Sequence, residues 1–292
     1  MRSAVLAATL TALGFLTALF AVAARLRGRG RPPRDLPAPA SFARWSAAGL
    51  SDGPTSRRWL LGDDGVDEAT RVGLATAWQE AARSAHRTVA VSTRRALDLV
   101  TLAAPPELVA SAHEDALGRI RRAKVCFALA RGIDGRGPLP GASIAPRRAL
   151  PGPRSAALAC LAREVVVESA LADGVAACVN AKLARRTTDP SIRAALAEIA
   201  AAEARHASHA WEIVAWCLAE GGAPVAHALA TLVLQPDPPP RDVPREALDG
   251  GWERWGIAGA ALERQEHRRV IHAAARQLGA IVREAPESKL AA

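Results

Sequence analysis

The 292-residue chain contains no tyrosine, one methionine, four phenylalanines and four cysteines. Without a phenol, no mechanism can run through a tyrosyl radical or a tyrosine acid. Cys126, Cys160, Cys178 and Cys217 form no CxxC and no Cys/His zinc spacing. Cys126 and Cys217 fall on apolar helical stripes and read as small buried hydrophobes. Cys160 and Cys178 lie in one predicted helix, too far apart to bridge. β-branched and aromatic residues are sparse while alanine and arginine abound, which favours helix over sheet. No glycine-rich phosphate loop, GxSxG elbow or Cys/His nucleophile arrangement occurs, so the usual nucleotide and acyl-transfer sites are excluded.

Half of the residues are apolar, enough for one sizeable core. The net charge of +9 is unevenly placed: residues 25–58 hold eight arginines against two acids. A nucleic-acid-binding domain would spread its cations over a folded face and interleave aromatics, so no nucleic-acid partner is expected. The cations instead follow "AVLAATLTALGFLTALFAVAA", residues 4–24, which is uncharged over its whole length. Such a run can span a bilayer as a helix. The rival is a signal peptide with Ala21-Val22-Ala23 at its cleavage site, which would export the protein to the periplasm. The long run and the basic residues after it favour an uncleaved single-pass anchor in an inner membrane. Arg25, Arg27, Arg29, Arg31 and Arg34 then place the folded domain in the cytoplasm and attract anionic lipid headgroups.

The expected organisation is an anchor over 1–25, a basic Pro/Gly-rich tether over 26–66, a helical domain over 67–221, and accessory helices over 222–292. Four long helices are predicted at about 68–103, 106–131, 155–187 and 190–221. On the first, Leu74, Trp78, Ala81, Ala85, Thr88, Ser92 and Leu99 share a face. On the third, Leu158, Leu161, Val165, Glu168, Ala172, Val175 and Val179 form one stripe, which turns Asp173 elsewhere. Two pairs with very short turns and one longer crossover point to an all-α antiparallel four-helix bundle. A short apolar helix at 223–234, a Pro-rich break and a closing amphipathic helix at 258–282 follow.

The two pairs resemble each other. Sliding 106–127 by 84 residues lays Pro106 on Pro190, Ala110 on Ala194, Arg121 on Arg205 and Phe127 on Trp211. In this register Glu203 lies opposite Arg119 and His206 opposite Arg122. Glu203 and His206 occupy the apolar stripe of the fourth helix, with Glu168 one helix earlier. A Glu-x-x-His pair and a carboxylate from a neighbouring helix put three ligands at one level, and doing so twice makes a carboxylate-bridged two-metal centre.

Residues 69–220 resemble the ferritin-like domains of large bacterial genomes. The resemblance is carried by "WQEAARSAHRTVAVSTRRALDLVTLAAPPELV" (78–109), "RIRRAKVCFALA" (119–130) and "DPSIRAALAEIAAAEARHASHAW" (189–211). It implies a four-helix fold in which Glu168, Glu203 and His206 are a surviving half-site. Ala85, Arg119 and Arg122 stand where the family carries ligands. A guanidinium holds a carboxylate with two hydrogen bonds and keeps its charge. The expectation is therefore arginine in place of metal, paired with Glu203 and Glu168, in a non-catalytic structural or interaction protein without a cofactor. The alternative is an oxidoreductase with one iron or manganese ion on the half-site. Around it, Glu164 is a second carboxylate or an arginine partner, His86 packs or hydrogen-bonds at the helix boundary, and His209 makes an interhelical polar contact.

Overall fold

The computed structural model describes residues 60–61, 66–135, 149–238 and 244–284. Among them every regular element is helical and there is no strand. The apolar run at 4–24 and the arginine collar lie outside the described residues. Within those residues no helix is long and apolar enough to cross a membrane.

Helix α1 (Glu68–Thr101) starts where Asp67 accepts from the backbone N–H of Thr70 at 2.8 Å, a side-chain cap on an otherwise orphaned donor. Two prolines follow its end, and Pro106 opens α2 (Pro106–Asp134) at the first-turn position, where proline's missing N–H costs nothing. Helix α2 stops at Gly135, whose φ of 79° is the left-handed cap that glycine adopts without strain. Helix α3 (Arg154–Val165) passes through a π segment (Val166–Leu171) into α4 (Ala172–Arg186) without leaving the helical path. Asp189 caps α5 (Pro190–Gly221) by accepting from the N–H groups of Ser191 and Ile192, as the "TTDP" turn predicts. The short helices α6 (Ala223–Ala230) and α7 (Arg245–Leu248) precede the closing helix α8 (Ala260–Glu284).

Short turns fold α1 back on α2 and α4 back on α5, and α3 packs along α5. The two hairpins meet where α2 faces α5. Cross-contacts there run from Arg122–Glu203 to Asp115–His209, so these two helices are antiparallel.

Apolar side chains gather in two clusters at opposite ends of the helices. One holds Leu74, Trp78, Phe127, Ile133, Ile192 and Leu196, and the other Leu99, Leu158, Leu161, Ile213, Val214 and Cys217. Each fully buried leucine or phenylalanine contributes about 1.5–3 kcal/mol. Between the clusters, the middle of the helices is polar.

The segments flanking 67–221 belong to the same core. Leu60 and Leu61 are buried, Leu60 donates its N–H to Gly132 at 3.0 Å, and the Arg71 guanidinium reaches the carbonyls of both leucines. A tether running to 66 therefore does not fit Leu60 and Leu61. Trp252, Trp255 and Leu262 complete one apolar cluster; Val225, Leu229, Val270 and Ala274 complete the other.

Candidate functional site

The polar layer is built from side chains of α1, α2, α4, α5 and the π segment. Arg119 of α2 is buried and places both terminal nitrogens on Asp173 of α4, at 3.1 Å to Oδ1 and 2.8 Å to Oδ2. Its Nε donates to Ser92 of α1 at 2.8 Å, and Nη2 reaches Ser169 of the π segment at 3.4 Å. Arg95 of α1 donates to the same Ser169 hydroxyl at 2.8 Å. One turn further along α2, Arg122 donates to Oε1 of Glu203 at 2.7 Å. Glu203 is completely buried.

The other end of the layer carries two histidines. His206 Nδ1 lies 3.6 Å from Glu203 Oε2, and its Nε2 lies 3.6 Å from Asp115 Oδ1. Both separations exceed a hydrogen bond. Glu203 Oε2 and His206 Nδ1 have no hydrogen-bond partner among the described residues. His209 Nδ1 sits 3.0 Å from Asp115 Oδ1, the interhelical polar contact expected of it. The imidazole of His206 fits because α2 has a glycine beneath it: a Cβ on Gly118 would lie 2.6 Å from Nε2.

Arg95, Arg119 and Arg122 face Asp115, Asp173 and Glu203, so three fixed cations meet three acids. Burial opposes ionisation of Glu203, but Arg122, His206 and Arg119 outweigh it and hold the carboxyl well below the usual range. Burial dominates at Asp173, which is pushed up to about 6 even with Arg119 pulling the other way. The Asp115 hydrogen bond raises His209 above its ordinary value, against partial burial. Burial raises the Cys126 thiol to about 11 and the Cys217 thiol to about 12, so neither offers a thiolate.

Of the expected half-site, Glu203 and His206 come together and Glu168 does not join them. Glu168 is partly exposed and accepts from Arg94 of α1 at 3.0 Å, with Glu164 3.6 Å from the same guanidinium. The acid that completes the group is Asp173, which the sequence pattern turns away from this face. The reason is the π segment. Its wider turn holds one residue more than an α-turn, so the buried stripe runs Leu161, Val165, Ser169, Asp173 and Ala177, in steps of four. An α-helical phase carried on from Val165 reaches Glu168 and Ala172 instead. Arg119 accordingly pairs with Asp173, whereas the expected partners of the two arginines were Glu203 and Glu168.

On α1 the residues at this level are Thr88 and Ser92, both within reach of Arg119. Ala85 is buried one turn away in the apolar cluster of Leu74 and Trp78. His86 is half-buried beside it and is not among the ligand atoms grouped at Asp173, Glu203 and His206.

A carboxylate-bridged two-metal centre does not fit these side chains, because what α2 sets against Asp173 and Glu203 are guanidinium groups and not ligands. Ligand atoms of Asp173, Glu203 and His206 do lie within 4.8 Å of one another. Yet Arg119 takes both oxygens of Asp173 and Arg122 takes one of Glu203. At 4 Å and an effective dielectric of about 20, each such cation repels each unit of metal charge by about 4 kcal/mol.

No protein-family model, no curated protein and no solved structure matches this chain.

Proposed function

We propose that this protein is a membrane-anchored ferritin-like four-helix bundle in which arginines have replaced the metals. On this reading it acts as a structural or interaction scaffold and not as an oxidase. The observation that carries it is the paired arrangement on α2. Arg119 and Arg122, one helical turn apart, each neutralise a buried carboxylate where a bundle of this kind would hold an ion. The repeat supports it as well, since the same two positions on α5 are Glu203 and His206. A cation that never deprotonates does a metal's electrostatic work without its Lewis acidity or redox chemistry.

The geometry also names a second reading. Asp173, Glu203 and His206 lie close enough to hold a single ion, iron or manganese on this reading. Its first ligands would be Glu203 Oε2 and His206 Nδ1, which have no hydrogen-bond partner among the described residues. The metal content of the purified chain separates the two, and restoring ligands on α1 and α2 tests where the site lies. Thr88→Glu, Arg119→Glu and Arg122→His together should yield a protein that is destabilised without metal and gains two ions with a large rise in Tm. A restored chain that folds and ignores Fe(II) and Mn(II) would remove α2 from the argument. The anchor is tested by flotation: the full chain should float with neutral vesicles, and a chain lacking residues 1–34 should not.

A further inference from the structure

Helix α8 turns Leu262, Val270, Ala274 and Leu278 into the core and packs on α4 and α6. Its one acid on that side, Glu266, is fully buried and is neutralised by Lys182 of α4. The opposite face carries exposed Arg264, Arg268, His272 and Arg276, spaced four apart, with Arg269 and Arg283 exposed beside the row. Each step of four advances about 6 Å along the helix, so the row is a basic strip on the order of 20 Å long. Only two of its arginines are answered: Arg268 by Asp237 at 2.9 Å, and Arg269 by Glu266 at 3.4 Å. Arg264, Arg276 and Arg283 make no ion pair with a described residue.

We propose that this face is a second membrane contact, which seats the folded domain on an anionic lipid leaflet. The proposal rests on the anchored reading above and names the partner class of the same protein. Charge complementarity is the first argument: arginines near an anionic leaflet are attracted one by one, without a shaped pocket. The second is the company they keep. Asp237 on Arg268 and the Gln235 carbonyl on His267 tie the segment after α6 to α8. That segment holds Val233, the most exposed large apolar side chain among the described residues, at 76 %. An apolar side chain near a basic strip suits the headgroup region. No aromatic interrupts the row, which is unlike a single-stranded nucleic-acid face. The third argument is covalent. The uncharged run at 4–24, followed by its own arginine collar, precedes Leu60 in the same chain. Once that run is in a membrane, binding by the α8 face becomes intramolecular, so weak individual contacts suffice to orient the domain.

The test uses the full chain in vesicles carrying a headgroup-level photoactivatable lipid, with labelled peptides read by mass spectrometry. Residues 260–284 should be labelled several-fold more in phosphatidylcholine–phosphatidylserine vesicles than in phosphatidylcholine alone. R264E/R268E/R276E, with unchanged helical circular dichroism, should lose that increase, and so should the parent at high salt. Equal labelling in both lipids, or full labelling of the variant, overturns the proposal. So does an oligonucleotide gel shift that depends on the same three arginines while lipid labelling does not. Failure of the parent to float with neutral vesicles counts against the anchor alone. Phosphatidylserine-dependent flotation abolished by the three substitutions would still uphold the α8 contact.

Discussion

Arg119 and Asp173 form a two-pronged ion pair, 2.8 and 3.1 Å long, between helices α2 and α4, with both side chains almost wholly shielded from solvent. A buried pair of this kind is a poor source of net stability, because desolvation consumes most of the attraction. Removing one partner is another matter. Arg119→Ala leaves Asp173 buried without its partner, so the acid must either carry an unpaired charge or take up a proton, and the change should cost about 3–5 kcal/mol. Arg119→Met with Asp173→Leu, which removes both charges together, should recover most of that loss. Urea unfolding of the parent, Arg119→Met, Asp173→Leu and the double variant gives the coupling directly. A double variant as unstable as Arg119→Ala would mean that the two residues do not act as a pair.

Glu203 makes the acid limb of stability. Its folded-state pKa lies below the unfolded value of about 4.5, so the stabilisation is complete above that pH and disappears as pH falls through the folded value. Asp173 runs the opposite way: its pKa is raised to about 6, so its contribution shrinks as pH rises from about 4 through 6. The Tm deficit of Glu203→Gln should therefore be full from pH 6 down to about 4.5 and narrow from there toward pH 3. A deficit that stays constant over that range would deny Glu203 its depressed pKa.

Gly118 should tolerate no side chain. Alanine is the better helix former by about 1 kcal/mol, so an exposed Gly→Ala change in α2 would stabilise. Here the new Cβ would meet His206 Nε2 at 2.6 Å, and the ring is enclosed. Gly118→Ala should destabilise by about 1–3 kcal/mol, as overpacking does. Adding His206→Ala should reverse the sign. Thermal unfolding of the single and double variants decides it.

The π segment should be removable. Deleting exposed Val167 takes out the extra residue and leaves α4 in phase with its neighbours, so Asp173 stays on Arg119. Deleting Ala176 within α4 rotates everything after it by about 100° and should abolish cooperative unfolding. Equal damage from the two deletions would contradict the register assigned to this helix.

The helices and their ends were legible because local chemistry sets them. Asp189 before Pro190, and the double proline at 105–106, leave the chain few other choices. The pairing of α2 with α5 was legible too, since Glu203 and His206 on an apolar stripe need partners from the facing helix. What escaped was the phase of the third helix. Periodicity assumes a constant turn, and nothing in "VVESAL" announces a wider one, so the stripe drifted onto Glu168. Two hints were present: Ser169 and Asp173 are four apart, and both lie four-residue steps from Val165. The level of the α1 contact was missed for a related reason. Ala85, Thr88 and Ser92 share one face, and only the Arg119 side chain shows which of them stand beside the charged layer.

The central claim is that guanidinium groups have taken the place of metal. Purified full-length protein should carry iron and manganese far below one ion per chain. Aerobic titration with Fe(II) should consume no oxygen beyond the buffer control. Stoichiometric iron together with oxygen consumption that is lost in Glu203→Gln would contradict the account and establish a working metal centre at Asp173, Glu203 and His206.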